Sequence, residues 1–125
     1  MVATVYTTVG AGVVVDLIDE TIGAATMFIM WGTGGSGTLA TAAVGDTGLF
    51  VSATETFATC AVSQPSADTN QWVGTLTAGT AKTIEEAGLF TASSGAAPIV
   101  IHGNFGGIAL ATGDSIQFTV TLQQT

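Results

Sequence analysis

Arginine is absent from this chain, lysine occurs once, at Lys82, and histidine once, at His102, against nine acidic residues and a formal charge of −8. Binding to a phosphate backbone depends on Lys and Arg displacing counterions, so no nucleic-acid partner and no anionic membrane partner is expected. Cysteine is also single. Cys60 has no intrachain disulfide partner, and no thiolate cage for a metal can form. With one imidazole there is no second histidine for a zinc site, and a Ser–His–Asp triad has a single candidate base. His102 closes an apolar run before Gly103-Asn104, which reads as a strand-end histidine exposed at a surface or subunit contact. The expectation is a protein that is not an enzyme and carries no cofactor and no metal. No apolar run approaches the ~20 residues that span a bilayer, and Met1 to Gly10 lacks the basic start of a secretory signal.

Charged residues make up only 8% of the chain, against about a quarter in typical domains. The surface must therefore be built from Thr, Ser, Gln, Asn, Gly and Ala. The mean hydropathy is high for a free monomer without a membrane segment; it suggests burial against other subunits, the alternative being a small Ala- and Val-rich domain whose short side chains inflate the index. The length of 125 residues suits one core. Residues 1–12 read as an N-terminal strand or arm, and residues 13–125 as a single domain.

Turn signals recur about every ten residues, and the apolar spacing is mostly that of strands. The clearest is Ser115 to Gln123, where Ile116, Phe118, Val120 and Leu122 alternate with hydroxyl and amide residues after a Gly113-Asp114 turn. Asn70 to Thr77 places Trp72, Gly74 and Leu76 on one side. Met27 to Trp31 is apolar on both faces, as in a central strand, and Gly32 to Gly37 follows as a loop. Thr56 to Ser63 is a further strand, ended by Gln64-Pro65 because proline cannot donate to a ladder. Pro98 to His102 is a short apolar strand, and Val2 to Val9 an edge strand or arm. Only Val14 to Ile22 has helical spacing, with Asp16, Asp19 and Glu20 opposite Val14, Ile18 and Ile22. The fold class is mainly β: an antiparallel β-sandwich, jelly-roll-like, with one short helix near the N-terminus.

Few constellations could carry chemistry. The acid pairs Asp19-Glu20 and Glu85-Glu86 are each adjacent in sequence, so on a strand their side chains point to opposite faces and form no glycosidase dyad. Gly32 to Gly37 lacks the Lys and long helix of a phosphate loop. Trp31, Trp72 and Tyr6 could stack on a sugar, although core or interface packing is the simpler role for the tryptophans. Lys82 stands near Glu85 and Glu86, and a local ion pair with one of them is expected, the alternative being an anchor to an acidic patch on a neighbouring subunit. Thr47-Gly48-Leu49-Phe50 is echoed by Ala87-Gly88-Leu89-Phe90, through either chance or a duplicated strand–turn.

Two segments resemble tailed-bacteriophage virion proteins. Met27-Phe28-Ile29-Met30-Trp31-Gly32-Thr33-Gly34 is similar to an apolar strand followed by G-T-G, which a short helix often precedes. Trp72 to Gly79, then Ile84-Glu85-Glu86-Ala87-Gly88-Leu89-Phe90, is similar to a strand followed by I-x-E-x-G-L-F. The resemblance spans roughly residues 13–125, and its second half is the distinctive part. Between Gly48 and Val62 the chain departs from the pattern, with Leu49, Phe50, Glu55 and Cys60 where an acid and a basic strand are expected.

What the resemblance implies is a structural virion protein of the capsid decoration, or cement, type. The expected partner is the major capsid protein, the expected place the outer capsid surface of the virion, and the expected state a homo-oligomer, a trimer about a threefold axis. A carbohydrate-binding virion module and a tail or neck subunit are the alternatives. The motif and interface candidates are Trp31, Gly32, Gly34, Trp72, Ile84, Glu86, Gly88, Leu89 and Phe90.

Overall fold

The computed structural model describes residues 3–11, 26–34, 41–94 and 97–123. Among these residues eight strands form: β1 Ala3–Tyr6, β2 Phe28–Gly32, β3 Ala58–Thr59, β4 Ala61–Ser66, β5 Thr69–Thr77, β6 Lys82–Phe90, β7 Ile99–Leu110 and β8 Ser115–Gln123. Five join in one sheet, ordered β1-β7-β6-β2-β3, and three in another, ordered β4-β5-β8. Every pairing is antiparallel. The mainly-β expectation holds. Its jelly-roll form finds no confirmation in a division of five strands and three.

The period of two explains how the sheets meet. β8 alternates strictly, and Ile116, Phe118 and Val120 oppose Leu76, Gly74 and Trp72 of β5. These residues turn toward β2, where Trp31 meets Phe118 edge-on with ring centroids 6.3 Å apart. Gly74 lets the sheets close. A β-carbon there would stand 3.3 Å from the Ile29 side chain. β2 lies between β6 and β3 with Ile29, Met30 and Trp31 buried, as a strand apolar on both faces must.

The larger sheet is therefore buried on its other face as well. There Met30, Ile84, Phe90 and Val100 are almost fully covered, and Phe57 packs edge-on against Phe90 at 5.1 Å. Residues 8–11 form a helical turn after β1. Thr7 caps it, because its hydroxyl accepts the Gly10 N–H at 2.9 Å. The helix expected over Val14 to Ile22 lies outside the described residues, as do residues 35–37 of the glycine loop.

Three sequence readings require correction. Pro65 does not end its strand. It lies inside β4, an edge strand whose register shifts between Ser63 and Ser66, where a missing N–H costs no ladder bond. The strand read as Pro98 to His102 continues to Leu110, because Gly103, Gly106 and Gly107 sit at register positions or an irregularity rather than at a turn. Thr47 to Phe50 is loop, whereas Ala87 to Phe90 is strand, so the echo is no duplicated strand–turn. The Gly113-Asp114 turn is as expected: Gly113 has φ of 92°, and the Asp114 carboxylate accepts the Ala111 N–H at 2.8 Å.

Candidate functional site

The polar chemistry of this chain concentrates where the segment 41–57 is fastened to the larger sheet. Glu86 and Asn104 are register partners on β6 and β7, and His102 lies opposite Gly88. The three side chains share the outer face, and the space a β-carbon on Gly88 would need is filled by Ile99, 2.5 Å away, and Phe90, 3.0 Å away. His102 and Glu86 are each 0% exposed. The Nε2 of His102 is 2.8 Å from a Glu86 oxygen, and its Nδ1 is 2.7 Å from Asp46 Oδ2. Phe50 covers the imidazole with ring centroids 4.8 Å apart.

Backbone donors complete the bridge. The N–H groups of Phe50 and Val51 donate to the two Glu86 oxygens at 2.9 and 2.8 Å. Ala43 N–H donates to Asp46 at 2.8 Å, and Ala42 N–H to Asn104 Oδ1 at 2.9 Å. Burial alone lowers the His102 pKa. The carboxylates of Glu86 and Asp46 outweigh it and hold the imidazole above its ordinary value of 6.5. Both ring nitrogens face carboxylate oxygens, an arrangement that favours the protonated imidazole as a tie between two acids.

A second tie lies farther along the same segment. Glu55 accepts the Trp31 indole N–H at 3.0 Å and the Gly79 N–H at 3.1 Å, and it pairs with the Lys82 ammonium. Burial pushes the Glu55 carboxyl up, but these donors, Lys82 foremost, bring it down to about 2. The Lys82 and Glu55 side chains are only 11% and 9% exposed. Lys82 thus pairs with neither Glu85 nor Glu86. Alternation along β6 directs Glu86 to His102, and the long-range partner Glu55 takes the lysine.

His102 is likewise buried, not the exposed strand-end residue expected, because two acids compensate its charge. The signal available in the sequence was scarcity. An interior acid in this chain has only two basic side chains to meet. Nothing in the sequence pointed to Asp46, or to the backbone of Phe50 and Val51, as the other halves of the bridge.

All nine motif candidates are buried. Trp31, Trp72 and Leu89 pack between the sheets, while Ile84, Glu86, Gly88 and Phe90 occupy the outer face of the larger sheet. A β-carbon on Gly32 would lie 2.3 Å from Glu86 Oε1 and 2.4 Å from the Val51 carbonyl. Gly34, at φ of 68°, lies close beneath Glu85. These residues build the frame.

The surface is carried by others, including Val44, Val51, Val62 and Ile108, each more than two-fifths exposed. A cavity of about 210 Å³ opens between the sheets beside Phe105, Phe118 and Val120. No described helix is long and apolar enough to cross a membrane, and no described cluster of His, Cys, Asp and Glu could hold a metal. No family model matches this chain, and no curated protein or solved structure matches it.

Proposed function

We propose that this chain is a phage capsid decoration protein that binds the outer surface of the major capsid protein and stabilises the head shell. The observation that carries the proposal is the internal disposal of positive charge. Lys82 is held against Glu55 and His102 is fully buried between Glu86 and Asp46. The only two basic side chains thus leave little positive charge to face packaged DNA. Apart from acids such as Asp68 and Asp114, what the described residues leave outside is largely hydroxyl, amide and small apolar surface on a two-sheet module, which suits repeated, individually modest contacts over a symmetric lattice.

The sequence resemblance supplies the class of partner. The sugar-binding alternative draws less support. Trp31 is 0% exposed and Trp72 8%, and the Tyr6 hydroxyl is occupied with the Gly10 carbonyl at 3.0 Å.

Contacts of this kind are hydrophobic and hydrogen-bonded, not ionic. A few hundred Å² of apolar contact at about 25 cal/mol per Å² contributes several kcal/mol before ordering costs. The purified protein, added to capsid shells that lack it, is expected to saturate them at a fixed ratio and to stay bound in about 1 M NaCl, where charge interactions are screened within about 3 Å. Release at that salt concentration, or binding only to tails, contradicts the proposal.

A further inference from the structure

The sheet edges of this fold are not alike. Among the described residues β1 has four and β3 two, too short to template another strand. β4 carries Pro65 and a register shift. Short strands, proline and bulges are the means by which proteins block edge-to-edge association. β8 has none of them. It runs nine residues, pairs with β5 in unbroken register from Ser115 to Gln123, and contains no proline, glycine or charged residue. Among the described residues, its outer edge pairs with nothing.

We infer that β8 is a self-association edge that pairs antiparallel with β8 of a second copy about a two-fold axis. The choice of a second copy rests on three features of the strand. Its polarity pattern is the same in both directions about Thr119. A two-fold centred there sets Phe118 against Val120, Ile116 against Leu122, Gln117 against Thr121 and Ser115 against Gln123. Apolar residues therefore meet apolar ones on the inner face, and polar residues meet polar ones outside.

The strand is also uncharged within a chain of formal charge −8, so two copies meet there without like-charge repulsion. Thirdly, Ile116, Phe118, Val120 and Leu122 face the core yet are only partly buried. The open cavity beside Phe118 and Val120 marks where their cover ends. Pairing β8 with its copy makes one six-stranded sheet, extends the inner apolar layer across the axis, and satisfies a ladder roughly 30 Å long.

Such a contact is isologous and closes a dimer, where the sequence resemblance led to a trimer. It does not depend on the capsid reading.

The test uses the full chain and measures mass in solution by sedimentation equilibrium. The wild type is expected at twice the monomer mass of 12.4 kDa. Thr119 is exposed on the outer face and stands opposite itself across the axis. Thr119→Lys therefore juxtaposes two like charges and is expected to raise the dimer dissociation constant on the order of fivefold or more. Thr119→Glu is expected to act in the same way.

Mixing the two variants is expected to restore the dimer. Thr75→Lys, on the exposed face of the internal strand β5, is expected to leave it intact. Circular dichroism matching the wild type establishes that each variant is folded. A wild type that is monomeric or trimeric overturns the inference. So does a dimer indifferent to both Thr119 substitutions, or a mixture that stays monomeric. A monomer that instead adds β8 to a capsid strand overturns it in favour of a foreign occupant.

Discussion

Gly32 shows how tightly the buried bridge is set. The Glu86 carboxylate and the Val51 backbone both occupy the space a side chain would need, and the backbone cannot move aside without releasing the N–H groups that hold Glu86. Gly32→Ala is expected to destabilise the fold by about 1–3 kcal/mol through overpacking, measured by chemical denaturation. Glu86→Ala is expected to cost more, about 3–5 kcal/mol. It leaves His102 with one acid in place of two and strips the acceptor from two backbone donors. Equal stability of either variant and the wild type contradicts this account of the bridge. Glu86 was legible in the sequence as a motif position. Its role was not, because partners 16 and 35 residues away leave no trace in local spacing.

At the scale of elements, the segment 41–57 acts as a strap joined to the larger sheet by two ionic ties with opposite pH responses. The His102 pKa is raised on folding, so its contribution is complete below 6.5 and is lost as pH rises through the higher folded value. The Glu55 pKa falls from 4.5 to about 2. Its contribution is complete above 4.5 and is lost as pH falls toward 2. Thermal stability is therefore expected to be greatest between about pH 4.5 and 6.5 and to decline on both sides. His102→Gln is expected to flatten the alkaline limb selectively, as followed by melting temperature across pH. An alkaline limb unchanged in that variant contradicts the assignment.

The strands were far more legible than the strap. β8 and β5 announce themselves by alternation, and β2 by its unbroken apolar run. β7 reads as a shorter strand because its glycines imitate a turn. The strap has no periodicity at all, and its course follows from where Asp46, Phe50, Val51 and Glu55 find partners on other elements.

For the whole molecule, the scarcity of basic residues is a property of the interior as much as of the surface. Each basic side chain fastens the strap, and the described outside is left to hydroxyls, amides, short apolar groups and acids such as Asp68 and Asp114. On the reading proposed above, such a module attaches to a shell by many uncharged contacts on the side away from the genome. The most direct test is genome release on heating, followed by the fluorescence of a DNA-binding dye, for particles with and without the protein. The account predicts release at a distinctly lower temperature from particles that lack it, with restoration when purified protein is added back. Identical release curves, with the protein located on the tail, contradict it.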